Sequence, residues 1–296
     1  MEEINPSDFD LGSRSLSLLR EDQVHSVVSG NKFRKLKYNL EQAKAIGSKT
    51  LVTFGGAYSN HLAATAFAGA SAGFNTIGIV RGEELAPRIA ANPTLSYAQE
   101  QGMELRFIPR SLYKMKSEVG ILDNLLKDRA NLYLLPEGGT NELAVKGCTE
   151  ILDDRTSQFD YICVSVGTGG TLAGILRSAS PKQITIGYSA LKGTFQKELI
   201  HRYCGEVPYT LVDDHCFGGY GKIDSNLIRF INNFKRSTGI PLDPVYTGKM
   251  MYGIMDGIKS GLFKENSRIL AVHTGGLQGI SGMNQRLKKK QLPQII

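Results

Sequence analysis

The sequence predicts an α/β protein: two open, twisted, mostly parallel sheets, flanked by helices, facing one another across a cleft. Three observations lead there. Short β-branched apolar runs alternate with helix-patterned stretches over most of the 296 residues. The apolar runs end in Gly-rich turns, and the strand–turn–helix units fall into two groups with no low-complexity linker between them.

In the first group, "TLVTFGG" (50–56) reads as a buried strand closed by a Gly-Gly turn, and "SNHLAATAFAGASAGF" (59–74) as an Ala-rich helix stopped by Gly73. "NTIGIVRG" repeats the strand, "TLSYAQEQG" the helix and "ELRFIP" the strand again. The second group opens with "YICVSVGTGGTLAGILRSA" (161–179), a strand, Gly-rich loop and helix, and continues through "QITIGYSA" to "SRILAVHTGGLQGI". The expected division is a larger unit of residues 1–35 and 143–296 and a smaller one of 36–142.

Composition excludes several classes. A net charge of +7 is spread along the chain apart from Lys288, Lys289 and Lys290, with no basic stripe interleaved with aromatics, so no nucleic-acid partner is expected. The four cysteines form no C-x-x-C pair and no His stands at metal-ligand spacing, which predicts reduced thiols and no metal. "MEEINPSDFDLGSR" lacks the character of a signal or transit peptide, and no apolar run approaches membrane-span length; a cytoplasmic protein without membrane contact is expected.

Six stretches carry polar groups at turn positions. In "SVGTGGTLAG" (165–174) successive glycines between strand and helix bring backbone N–H groups together at a helix N-terminus, which suits a phosphate. It is not a P-loop, since no Lys-Ser/Thr follows, and Gly167, Gly169 and Gly170 give no dinucleotide register; a tight turn is the plain structural reading. Ser59, Asn60 and His61 gather a hydroxyl, an amide and an imidazole at a helix start that attracts carboxylates, although any Ser there also serves as a cap. Tyr246 and Thr247 in "DPVYTGKMMYG", Tyr220 in "CFGGYGKID" and Thr274 in "AVHTGG" occupy loops expected at a sheet's ligand-binding edge. His25 and His273 read as structural. "SGNKFRKLKYNL" (29–40) places Lys32 just after a Gly-Asn turn, with Lys35 on the same helical face and Arg34 and Lys37 directed to solvent.

The ordered set "SGNKFRKL", "GGAYSNH", "PEGGTN", "SVGTGGTLAG", "GGYG", "DPVYTGK", "HTGG" resembles the pyridoxal-phosphate enzymes that include D-cysteine desulfhydrase and 1-aminocyclopropane-1-carboxylate deaminase, of the tryptophan-synthase-β-like fold. The resemblance covers about residues 16 to 285. It implies pyridoxal 5'-phosphate in the cleft between the domains, bonded to Lys32, with Lys35 and the loop of Gly167, Thr168, Gly169, Gly170 and Thr171 on its phosphate and Asn60 beside its 3-hydroxyl. It further implies that Ser59 binds substrate and takes part in catalysis. Tyr220 and Tyr246 are then expected near the substrate as catalytic residues, the freed Lys32 or one of these tyrosines removing the Cα proton, with the substrate carboxylate held by Ser59, Asn60 and the helix N-terminus beside His61.

Thr247 and Thr274 stand where the deaminase branch has Glu and Leu, and "SNH" matches the desulfhydrase branch. The implied reaction is loss of sulfide from D-cysteine to give pyruvate, ammonia and hydrogen sulfide. A threonine facing the pyridine nitrogen makes a weaker electron sink than a carboxylate, enough for a good leaving group. The alternatives are 1-aminocyclopropane-1-carboxylate deamination to 2-oxobutyrate and ammonia, and a non-catalytic cofactor-binding protein. A homodimer is implied as well.

Overall fold

The computed structural model describes residues 1–296 except Pro6, Ser117, Val119 and Gly120, and leaves out the side chains of residues 121 and 123. Its strands are β1 (Glu2–Glu3), β2 (Ser15–Leu19), β3 (Thr50–Gly55), β4 (Asn75–Arg81), β5 (Glu104–Ile108), β6 (Leu132–Leu135), β7 (Tyr161–Val166), β8 (Ile184–Ser189), β9 (Thr210–Val212) and β10 (Arg268–Val272). The helices are α1 (Asn31–Ala45), α2 (Asn60–Ser71), α3 (Pro93–Glu100), α4 (Arg110–Lys114), α5 (Ile121–Leu126), α6 (Glu142–Cys148), α7 (Gly170–Ser178), α8 (Gln196–Cys204), α9 (Ser225–Thr238), α10 (Thr247–Lys259) and α11 (Gly279–Lys289).

Two sheets result, ordered β1-β2-β10-β7-β8-β9 and β5-β4-β3-β6. Every pairing is parallel except β1 with β2. β3 and β7 are buried at all six positions, as strands covered by helices on both faces must be. Helix α1 runs unbroken through residues 35 and 36, where the expected larger and smaller units meet.

Topology fixes where a ligand fits. In the larger sheet β8 and β9 continue from β7 on one side while β10 lies on the other; in the smaller sheet β4 and β6 flank β3 in the same way. Loops leaving the carboxyl ends of strands at such a reversal diverge and open a crevice. Those loops are 56–59 after β3, 136–141 after β6, 167–169 after β7 and 273–278 after β10, and they hold most of the polar stretches singled out above. Among the described residues, no helix is long and apolar enough to cross a membrane.

Candidate active site

The four loops enclose a cavity of about 740 Å³. Lys32 and Lys35 enter it from the first turn of α1. That turn is anchored to the larger sheet: Gly30 N–H donates to the Glu21 carbonyl (2.9 Å) and Asn31 N–H to the Thr274 carbonyl (3.2 Å). Gly30 is required here, because its φ is +64° and a Cβ would lie 1.9 Å from the Thr274 oxygen.

Both lysine amines approach the Gly138 carbonyl, Lys32 at 3.4 Å and Lys35 at 3.1 Å, and Lys35 also donates to Thr140 Oγ1 at 2.9 Å. Burial holds the Lys32 ammonium well below the usual lysine pKa, with the neighbouring Lys35 charge adding to the effect; burial lowers Lys35 too. Arg34 and Lys37, expected in solvent, instead form ion pairs. Arg34 takes Glu21 in a two-pronged contact (2.9 and 3.0 Å), and Lys37 takes Glu150 (2.7 Å). Their partners come from the chain before α1 and just after α6, which single-helix periodicity does not reveal.

Gly167, Thr168 and Gly169 form the turn between β7 and α7, whose first turn carries no acidic residue to offset its dipole. Thr168 Oγ1 lies 2.7 Å from Thr140 Oγ1, so the Lys35 amine and the loop are joined through one hydroxyl. Thr171 lines the cavity and accepts from Asn31 Nδ2 at 2.8 Å. Gly170 lies behind the lining, packed against Thr140. Gly174 lets α7 close on α6, where a Cβ would sit 2.3 Å from that of Cys148.

Across the cleft, Ser59 caps α2 by accepting from Leu62 N–H (3.3 Å), and its hydroxyl still borders the cavity. Asn60 Oδ1 and both ring nitrogens of His61 are buried without a partner among the described residues. Burial and the two nearby lysine charges hold His61 neutral, so it offers one donor and one acceptor. Orphaned buried polar atoms are costly and rare, and three of them on two adjacent residues that line one cavity point to a place for a polar ligand.

Tyr220 and Tyr246 meet edge to face, 6.2 Å between ring centres, and burial raises the pKa of both phenols, which stay protonated. Thr247 departs from expectation. Its hydroxyl donates to Asp243 Oδ2 (2.9 Å) and accepts from Asp243 N–H (2.9 Å), and the residue does not line the cavity. Asp243 caps α10, accepting from the N–H groups of Val245, Tyr246 and Thr247, and so draws Thr247 inward. Thr274 and Ser165 do line the cavity, with their hydroxyls 3.0 Å apart. Ser165 was not singled out from sequence; its place at the end of a strand before a Gly loop was the available signal. His273, satisfied by the Pro241 carbonyl (2.8 Å), and His25, which accepts from Val27 and Val28 N–H, are structural.

Lys249 also escaped notice. Its buried ammonium donates to the carbonyls of Cys216 (2.7 Å), Gly219 (2.8 Å) and Ala190 (3.4 Å), tying down the loop that carries Tyr220. Lys249→Met is expected to cost about 2–4 kcal/mol by leaving those carbonyls unpaired, measurable by urea unfolding. Burial lowers the Lys249 pKa from 10.5 to about 8. Between these values the unfolded chain keeps a proton that the native protein has lost, so Lys249 makes stability rise with pH from about 8 to 10.5. The variant loses that component; an identical pH slope in both proteins refutes the assignment.

The residues thus offer an anion cradle at the Gly loop beside Lys35, an amine of lowered pKa at Lys32 and a carboxylate-sized nest at α2. This set fits a phosphate-bearing aldehyde together with an amino acid. Comparison with known proteins agrees. The family model described as "Pyridoxal-phosphate dependent enzyme" matches residues 10–275. A Pyrococcus horikoshii protein named "Putative 1-aminocyclopropane-1-carboxylate deaminase" is 31% identical, covering 88% of this chain and 84% of its own. A Thermotoga maritima protein of the same name is 29% identical over 90% of both chains. The crystal structure of an ACC deaminase homologue superimposes with a TM-score of 0.84 at 28% identity, covering 97% of this chain and 92% of that one. A hydrogen sulfide-producing enzyme from Fusobacterium nucleatum shares the fold, with a TM-score of 0.69 at 16% identity over 94% and 95% of the two chains.

Proposed function

Given that the chain belongs to the family of pyridoxal-phosphate dependent enzymes, we propose that it is a lyase that removes the β-substituent of a small amino acid. Sulfide loss from D-cysteine, giving pyruvate, ammonia and hydrogen sulfide, is the reaction its cavity suits best. One observation carries this choice: among the described residues lining the cavity the one carboxylate, Glu137, is paired with Lys116 at 3.0 Å, while Ser165 and Thr274 contribute hydroxyls, so the lining offers no free carboxylate for a strong electron sink. When bound, pyridoxal phosphate supplies an aldehyde for the substrate amine and a ring that spreads the charge left on Cα.

In this reading, Lys35 and residues 167–171 hold the phosphate. Ser59, Asn60 and His61, at the N-terminus of α2, orient the substrate carboxylate. The Lys32 amine, its pKa lowered by burial, removes the Cα proton. The phenols of Tyr220 and Tyr246, kept protonated by their raised pKa, donate hydrogen bonds to the departing thiolate. Parallel assays test the choice: D-cysteine should yield sulfide and pyruvate, and 1-aminocyclopropane-1-carboxylate no 2-oxobutyrate. The reverse pattern would establish the second reading, a deaminase, which the names of the relatives favour.

The lowered Lys32 pKa predicts that the apoprotein captures pyridoxal phosphate readily at neutral pH. The capture rate, followed by absorbance, should rise through a midpoint well below 10.5. A midpoint near 10.5 contradicts a buried Lys32. The division at residues 35/36 and 142/143 belongs to the same proposal, supported by the strands of each sheet coming from those ranges; so does a homodimer, on the family resemblance alone.

A further inference from the structure

Arg81 is a cavity-lining cation that the assignments above leave without a task. It is the last residue of β4, at the carboxyl edge of the smaller sheet. Its Nε is buried with no hydrogen-bond partner, and among the described residues the side chain makes no ion pair, whereas Arg34, Arg106 and Arg177 each hold a carboxylate. Glu137, the one carboxylate among the described lining residues, is drawn to Lys116 at 3.0 Å.

The guanidinium is nevertheless held in place. It lies over the Tyr113 ring, 5.6 Å from its centre, and Nη2 rests above Gly56, where a Cβ would come within 3.3 Å. Tyr220 lines the same cavity. A fixed and unpaired guanidinium whose Nε is buried there is matched by a planar anion that can take two of its N–H groups at once.

We propose that the substrate class extends beyond D-cysteine to β-substituted alanines whose leaving group carries an anion, and that Arg81 receives that anion. This rests on the lyase reading of the same cavity and adds a substrate class to it. The bonds balance as for cysteine: the Cα proton passes to Lys32 and the Cβ–X bond breaks with its electron pair going to X. X departs with its anion still on Arg81, and water completes the release of pyruvate and ammonia.

The test uses the holoenzyme and two isosteres that differ in charge alone, S-carboxymethylcysteine and S-carbamoylmethylcysteine, each as both enantiomers. Both kcat/KM and calorimetric Kd are measured, with D-cysteine and 1-aminocyclopropane-1-carboxylate alongside. The carboxymethyl compound should be preferred by about 10- to 100-fold in both measures, the range expected of charge-assisted hydrogen bonds. In Arg81→Gln that ratio should fall to near 1, and in Arg81→Lys to an intermediate value; thermal melting of both variants confirms folding. A wild-type ratio near 1, or a preference that survives in a folded Arg81→Gln, overturns the role of Arg81 while leaving the lyase reading intact. Absence of binding and turnover across the whole panel overturns both together. Carboxylate and sulfonate ligands are told apart by adding cysteate as a third arm.

Discussion

Lys32→Ala is expected to lower turnover of any substrate about 10³-fold or more, while the protein folds and still retains cofactor noncovalently. The reasoning combines placement and charge. The Lys32 amine sits at the Gly138 carbonyl inside the cavity, and burial lowers its pKa well below that of an ordinary lysine. It is therefore the group able both to bond the cofactor aldehyde and to take the Cα proton, and removing a positioned general base alone costs about 10²–10⁴-fold. Lys35→Ala should behave differently. Lys35 is joined to the Gly loop through Thr140, so its loss should weaken cofactor affinity more than it slows the saturated enzyme. Residual Lys32→Ala turnover above about 1% in single-turnover measurements would remove Lys32 from the chemistry.

Gly30→Ala is expected to destabilise the protein by about 3 kcal/mol or more and to abolish cofactor loading. A Cβ at this position would lie 1.9 Å from the Thr274 carbonyl oxygen and 2.3 Å from its carbon, in backbone two residues past the paired end of β10 whose carbonyl also accepts from Asn31 N–H. A positive φ of +64° adds about 1 kcal/mol of its own. Gly73→Ala separates the two causes, since Gly73 has φ +82° with nothing within 4 Å of the added methyl. Urea unfolding should show Gly73→Ala losing only the smaller, conformational part. Equal losses at both positions would mean that α1 is not docked on β10 as described.

Much of this architecture is written in the chain. The strands β3, β4, β5, β7, β8 and β10 were visible as β-branched runs because each is five to seven residues long and ends in a turn signal. β9, at three residues, and β6, at four, are too short for any periodicity to register and form by pairing with an edge already in place. The site divides along similar lines. Residues on the turns after β3, β7 and β10 could be located because the turn chemistry is local. Thr247 could not be judged, because the group that claims its hydroxyl, Asp243, binds through a helix cap that reshapes the whole turn. Lys249 and Arg81 were hidden for another reason: a lone cation gains meaning only when three carbonyls, or an empty place beside it, arrive from distant segments.

The central claim is that Lys32, among several buried lysines, carries the cofactor. Borohydride reduction of the holoprotein followed by peptide mass mapping tests it most directly. The account predicts a single pyridoxyl-phosphate mass on the peptide containing Lys32, and its disappearance in Lys32→Ala. Labelling of Lys35 or Lys249 instead, or a reducible label that persists in Lys32→Ala, would contradict it.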